Sequence, residues 1–266
     1  MEITPLHHDE LELLTRLQPE DWPDIRPSFE FYTSSAFCFP IKITIDAEIA
    51  GIGATIVHQD VAWLGHIIVH PDHRGKGIGK LVTQTLVNIS RQHKCETIYL
   101  IATDMGAPVY QKEGFVTETD YLFFKDILIR EPLKPSACIE TYREELKEQI
   151  AAMDKLVSGE DRIPHLEPHL EQGYQYTKEE TVEGFYLPTF GEGLIIADTE
   201  AAGLALLKLH LSFKDKVAFP KENLAATQFL YANGYKESHT AKRMVVGKSR
   251  HVKFANIYNR IGGNIG

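Results

Sequence analysis

The chain has 266 residues, 43% of them hydrophobic and 24% charged, with a formal net charge of −9 at pH 7. That length suits two domains rather than one core, and the acidity argues against nucleic acid as a partner. No apolar run approaches the roughly 18 residues of a membrane span, Met1–Pro5 lacks a secretory pattern, and Cys38, Cys95 and Cys138 form neither a CxxC pair nor an even disulfide set, so a metal-free cytoplasmic protein is expected.

Helical and extended patterns alternate along the chain. Glu2–Thr4 reads as a short strand, Asp9–Leu17 as a helix with Leu11, Leu13, Leu14 and Leu17 at helical spacing, and Ser28–Ser35 as a second helix. Three apolar runs follow, Ile41–Ile45, Ile49–Val57 and Trp63–Val69. They are separated by Asp46-Ala47 and Gln59-Asp60, which predicts an antiparallel meander. Gly51 and Gly53 within it suggest a bulge. Gly77–His93 is the clearest helix, with Ile78, Leu81, Val82, Leu86 and Ile89 on one stripe. Strand Thr97–Ala102, helix Met105–Glu113 and strand Phe115–Phe124 complete this half. The proline-punctuated stretch Arg130–Pro135 reads as a linker, placing the domains at 1–130 and 131–266.

Beyond the linker, a helix is expected over Thr141–Val157 and an irregular polar stretch over Ile163–Glu180. Strands follow at Gly184–Pro188 and Gly193–Ala197, a helix at Glu200–Leu211, a strand at Val217–Phe219, a helix at Leu224–Asn233 and a closing strand region at Tyr235–Gly247. The run Tyr110–Phe115 is echoed by Leu230–Tyr235, each with a glycine before its last aromatic and each between a short helix and a strand. Two lobes with one α/β plan are therefore expected.

The chemistry concentrates in Val69–Lys80, V-H-P-D-H-R-G-K-G-I-G-K, between an apolar strand and a strong helix. Gly75, Gly77 and Gly79 let the backbone curl so that successive N–H groups face one anion. The helix N-terminus adds partial positive charge, and Arg74, Lys76 and Lys80 add full charges, which suits a pyrophosphate. Neither the dinucleotide fingerprint nor the nucleotide P-loop fits. Lys80 stands where the first needs its third glycine, and Arg74 and Leu81 break the second. His165-x-x-x-His169 has metal-pair spacing, but Pro168 speaks against a regular helix there.

Arg74-Gly75-Lys76-Gly77-Ile78-Gly79, preceded by Val69-His70-Pro71, resembles the R/Q-x-x-G-x-G/A motif of the GNAT N-acetyltransferase superfamily. A second family element, N-x-x-A-x-x-x-Y-x-x-x-G-F, is matched by Thr103, Gly106, Tyr110, Gly114 and Phe115, with threonine in place of asparagine. The resemblance spans about residues 1–128. It implies acetyl-CoA as co-substrate, a sheet splayed between its fourth and fifth strands, and direct acetyl transfer to a primary amine of a small molecule or peptide. In that reading the backbone of Ile67, Ile68 and Val69 pairs with the pantetheine arm, and the segment Arg74, Gly75, Lys76, Gly77, Ile78, Gly79 and Lys80 holds the pyrophosphate. Thr103 contacts the cofactor, Tyr110 is the general acid, and His66 on the fourth strand is the base, ahead of Asp60 and Glu30. Acceptor pockets of the family lie over the first helices, here about residues 17–38, where the aromatics Trp22, Phe29, Phe31, Tyr32, Phe37 and, just beyond, Phe39 either line such a pocket or belong to the core.

The second lobe keeps the plan and loses these residues: Ala201, Ala202 and Leu204 stand for Arg74, Gly75 and Gly77, and Leu230 for Tyr110. With Leu156–Arg162 and Ile257–Gly263, this resembles two-lobed bacterial members whose C-terminal domain is a degenerate GNAT-like lobe. A monomer or homodimer without membrane partners is expected. The alternative reading is a non-catalytic acyl-CoA-binding sensor.

Overall fold

The computed structural model describes residues 1–20, 22–128 and 136–266. The linker expected at Arg130–Pro135 lies outside the described residues. The described chain forms two compact units. The first contains Met1–Thr117, Arg243–Ser249 and Gly263–Gly266, and the second contains Glu118–Lys242 and Arg250–Gly262.

In the first unit, β1 (Glu2–Pro5), β2 (Cys38–Ile45), β3 (Glu48–His58), β4 (Val61–Val69) and β5 (Thr97–Ala102) lie in that spatial order. The turns dictate the meander. Asp46 and Ala47 both take positive φ between the paired Ile45 and Glu48, the left-handed two-residue turn whose twist matches flanking strands. Helix α1 spans Arg26–Ser34, α2 Ile78–Gln92 and α3 Ala107–Lys112. The stripe on α2 buries Ile78, Val82 and Leu86 against Ile41, Ile43, Ala62 and Leu64 of the sheet. Each such side chain contributes roughly 1.5–3 kcal/mol on leaving water. Gly51 and Gly53 serve that packing, since a Cβ on either would lie 2.8 Å from the α2 side chains Ile78 or Leu86.

The second unit takes up β6 (Val116–Phe124) from Glu118 onward, followed by β7 (Ile139–Thr141), α4 (Lys147–Ser158), α5 (Ile163–Leu170), β8 (Tyr174–Lys178) and β9 (Thr181–Leu187). β10 (Leu194–Ala197), α6 (Glu200–Leu211), β11 (Val217–Pro220), α7 (Leu224–Ala232), β12 (His239–Gly247) and β13 (Ile257–Asn259) complete the chain. The part of β12 from Arg243 onward belongs to the first unit, beside β5. The second unit holds a five-stranded sheet ordered β13-β10-β9-β8-β7, and β11 pairs antiparallel with β6. Its core gathers Tyr186, Ile195, Leu206, Leu207, Phe219 and Leu230.

Three expectations are corrected. Asp9–Leu17 is not an α-helix but a 3-10 helix over His8–Leu17. The stretch Ile163–Glu180 is not irregular: it forms α5 and β8. In α5 the buried Leu166 and Leu170 repeat at helical spacing, Pro164 falls in the first turn where its missing N–H is harmless, and Pro168 is carried inside a short helix. In β8 the register Tyr174↔Tyr186 builds a cross-strand aromatic pair that sequence polarity hides. The α-helix expected from Thr141 begins only at Lys147, after β7 and a 3-10 turn.

Candidate functional site

Strand β4 runs parallel to β5 only from Val61↔Thr97 to Leu64↔Leu100. From Gly65 onward β4 keeps its partner β3 on one side, so the N–H and C=O groups of Ile67–Val69 that face β5 lie beyond the paired stretch. The separation begins at a bulge. Between Ile52↔Ile68 and Ala54↔Gly65 the strand β4 carries one residue more than β3, and His66 there takes φ +50°. A bulge bends the strand and re-aims its side chains.

Past Val69, the 3-10 turn Pro71–His73 leads into Arg74, whose Nε donates to Val69 O at 3.3 Å. Gly75 and Gly77 have φ +73° and +82°, the left-handed region that glycine enters without strain. A Cβ on either would meet nothing within 4 Å. The space beside the turn is thus open. Helix α2 starts at Ile78 with its first reaching-back bond from Leu81 N to Gly77 O at 3.1 Å. The N–H groups of Ile78, Gly79 and Lys80 stand at the free helix end. No acidic residue occupies that first turn, and Arg74, Lys76 and Lys80 are exposed around it. Lys80 Nζ also lies 3.7 Å from Glu113 Oε1, which ties α2 to the end of α3. The arrangement can hold a diphosphate by backbone amides, the helix dipole and basic side chains together.

Thr103 follows β5 and is exposed; its hydroxyl accepts Gly106 N–H at 3.3 Å and its carbonyl accepts Ala107 N–H at 2.9 Å, starting α3. Tyr110 lies on α3, packed against Phe115 at 6.1 Å between ring centroids and against the same core as Ile67 and Val69. Burial pushes its phenol up to about 12, so it stays protonated. Its hydroxyl has no hydrogen-bond partner among the described residues.

His66 is half-buried, its ring meeting Trp22, Phe29 and Tyr32 edge-on at centroid distances of 6.0, 5.6 and 5.6 Å. Burial lowers its pKa to about 4, so it is neutral at pH 7. Tyr32 Oη lies 2.8 Å from its Nδ1. Asp60 sits in the turn before β4, at the other end of the strand from the bulge, and Glu30 lies exposed on α1. The structure therefore gathers His66–Lys80 along one continuous strand, turn and helix start, and brings Thr103 and Tyr110 in on the element after β5. Tyr32 gains a role at His66 that sequence reasoning gave no sign of. Asn264, whose Nδ2 donates to Tyr32 Oη at 2.7 Å, was missed entirely, because nothing local marks it. In the second unit His169 Nδ1 lies 2.9 Å from Thr189 Oγ1 and the ring stacks on Phe190, while His165 is buried.

A sheet opened at a bulge, with an amide-lined helix start beside the opening, belongs to the class of sites that can hold a phosphate-bearing molecule in extended form. Comparison with known proteins narrows that class. Residues 5–115 match the Acetyltransferase (GNAT) family. The N-acetyltransferase ycf52 of Pyropia yezoensis, itself uncharacterized, is 36% identical over 59 residues, covering 22% of this chain and 34% of that protein. The glucosamine 6-phosphate N-acetyltransferase of Trypanosoma brucei brucei is 38% identical over 55 residues, 20% of this chain and 37% of that protein. The chain thus spans about a third of the length of these curated relatives. Over its whole length it resembles a candidate acetyltransferase from Pyrococcus horikoshii, with TM-score 0.83, 23% identity, and 100% and 95% of the two chains covered. A tandem GNAT protein from the clavulanic acid biosynthesis pathway gives TM-score 0.61 at 13% identity over 94% and 99% of the chains. The chain thus has the tandem GNAT fold, and its match to the GNAT family model lies in residues 5–115.

Proposed function

We propose that the chain is an acetyl-CoA-dependent N-acetyltransferase that acts on a primary amine of a small molecule or peptide. The observation that carries this reading is the opening of β4 from β5 at the His66 bulge, with the uncovered glycine turn and the α2 start directly after it. The residues present suit the co-substrate. Ile67–Val69 offer strand-edge groups to the pantetheine amides, and the amides of Gly75–Lys80 with Arg74, Lys76 and Lys80 offer a pyrophosphate site. The turn formed by Thr103 is committed to starting α3, so in this reading its part is to place Tyr110.

The amine nitrogen attacks the thioester carbonyl carbon, a C–N bond forms, and the C–S bond breaks. The departing sulfur takes a proton from a donor within reach, and the Tyr110 hydroxyl, held protonated and without a protein partner among the described residues, is the group assigned to give it. His66 is the polar side chain at the bulge. To serve as base it would need a lone pair on the nitrogen that faces the amine. The α6 start of the second unit lacks the glycines and basic residues of the first, so that unit is assigned no acetyl-CoA site.

Calorimetric titration of acetyl-CoA tests the reading. One site per chain is expected. Two sites would mean that the second unit binds as well, and no binding at millimolar acetyl-CoA to folded protein would overturn the proposal.

A further inference from the structure

The hydrogen bonds around His66 involve a residue from the far end of the numbering. Asn264 lies in Gly263–Gly266, a segment of the first unit. It approaches β4 so closely that a Cβ on Gly65 would lie 2.5 Å from the Asn264 Cβ and 3.2 Å from Tyr32 Oη. Asn264 Nδ2 donates to Tyr32 Oη at 2.7 Å, and Tyr32 Oη is 2.8 Å from His66 Nδ1.

The direction of the second bond follows from counting protons. Tyr32 is 1% exposed and has one hydroxyl proton. With Asn264 donating to its oxygen, that proton has one acceptor among the described residues, His66 Nδ1. Reversing the bond would leave a buried O–H without an acceptor, the costly outcome for any buried polar group. Neutral His66 then carries its proton on Nε2. The second unit holds the same pair with an independent check. Tyr186 Oη is 3.0 Å from His210 Nδ1, and His210 Nε2 is 2.9 Å from Lys216 O. A carbonyl can only accept, so His210 is protonated on Nε2 and takes the tyrosine proton at Nδ1. There both nitrogens are used. At His66, Nε2 has no partner among the described residues.

We propose that Asn264, acting through Tyr32, holds His66 as the Nε2–H tautomer, so that His66 meets the acceptor substrate as a hydrogen-bond donor and not as a proton acceptor. The substrate it fits is an amine with an oxygen acceptor (hydroxyl, carbonyl or carboxylate) near the reacting nitrogen, bound among Trp22, Phe29 and Tyr32. The amine proton then departs to water. The substrate half of this inference rests on the acetyltransferase reading. The tautomer half does not.

The experiment is ¹⁵N-histidine labelling of the full chain with ring-nitrogen correlation spectra at neutral pH, the His66 signals being assigned by His66→Gln. The native protein is expected to show Nε2–H at His66. Asn264→Asp offers only acceptors, takes the Tyr32 proton, and turns His66 to Nδ1–H. In a Tyr32→Phe background the same substitution is expected to leave the ring unchanged. Should Asn264→Asp not fold, Tyr32→Phe, which removes the proton donated to Nδ1, is expected to give a mixture of tautomers, and an unaltered Nε2–H ring in that folded variant overturns the proposal. A native Nδ1–H ring, or a folded Asn264→Asp protein with an unaltered ring, overturns the proposal. With an amine that supports acetyl-CoA turnover, Asn264→Asp is expected to raise KM several-fold with a smaller change in kcat; a rise in kcat would show that His66 is the base. Absence of acetyl-CoA binding would sink the acetyltransferase reading and leave the tautomer result standing.

Discussion

Each unit sends a strand into a helix, β4 into α2 and β10 into α6, and the two junctions behave as opposites. Between β4 and α2 the chain inserts a long turn with two left-handed glycines and the exposed Arg74 and Lys76, and the first helical turn adds the exposed Lys80 and no acid. Between β10 and α6 it inserts Asp198 and Thr199. The Thr199 hydroxyl accepts Ala202 N–H at 3.3 Å and donates to Glu183 at 2.9 Å, and Glu200 opens the helix. One turn later the Tyr258 ring lies so close that a Cβ on Gly203 would be 2.1 Å from it. Both helices have the same dipole. The first has no acidic residue or side-chain cap at its positive end, and the second satisfies that end with its own residues.

The sharpest way to break the comparison lies at the other pair of equivalent helices, α3 and α7. Tyr110 on α3 corresponds to Leu230 on α7, which is fully buried. Tyr110→Phe is expected to lower kcat by about 10²–10⁴-fold, the usual worth of a proton donor, while acetyl-CoA affinity by calorimetry stays as it was. Leu230→Ala is expected to cost roughly 2–5 kcal/mol of stability through the cavity it leaves, again with unchanged affinity. If Tyr110→Phe kept full turnover, Tyr110 would be a packing residue like its counterpart.

The two tyrosine–histidine pairs respond to acid in the same direction. Burial lowers the pKa of both His66 and His210, to about 4 for His66. At both sites the unfolded chain therefore binds more protons than the folded one below about pH 6.5, at His66 down to about pH 4. The stability His66 contributes is complete above about pH 6.5 and is lost as pH falls toward 4. For His66 the full loss is on the order of 3 kcal/mol. Thermal melts across this range are expected to be less pH-dependent in His66→Gln than in the native protein. An identical slope in the two would mean that His66 titrates normally.

A smaller effect is expected at the glycine turn. Gly77→Val forces a β-branched residue into the left-handed region, at about 1–2 kcal/mol, and turns the α2 amides from their ligand. Acetyl-CoA affinity should fall about tenfold or more, a loss of at least roughly 1.4 kcal/mol. Gly203→Ala in α6 collides instead with Tyr258. It should lower the melting temperature and leave that affinity intact.

Much of this contrast was legible in the sequence, for identifiable reasons. The meander, α2 and β5 announce themselves because local propensity, turn residues and hydrophobic period agree there, and the glycine turn carries its chemistry in adjacent residues. Thr97–Ala102 and Glu200–Leu211 match the observed β5 and α6 residue for residue. What stayed hidden depends on distance in sequence. The exchange of β12 residues into the first unit, the Asn264–Tyr32–His66 chain across 232 and 34 residues, and the aromatic register that makes β8 a strand are properties of pairing, which periodicity does not encode. The two prolines of α5 hid a helix because its stabilisation comes from burying Leu166 and Leu170, not from propensity.

The gentlest test of the two junctions is at Thr199. Its hydroxyl is the N-cap of α6, and Thr199→Ala removes both the bond from Ala202 N–H and the contact with Glu183. The expected cost is about 1 kcal/mol, read from chemical denaturation as a lower midpoint with an unchanged slope. The informative part is what uncapping does to binding. The freed amides of α6 still face Glu200 in the first turn and still have Tyr258 over Gly203, so a phosphate ligand gains neither charge nor room. Acetyl-CoA stoichiometry should therefore remain at one. A second site appearing in Thr199→Ala would mean that a single hydroxyl, and not the loss of the glycine turn and its basic residues, separates the two junctions.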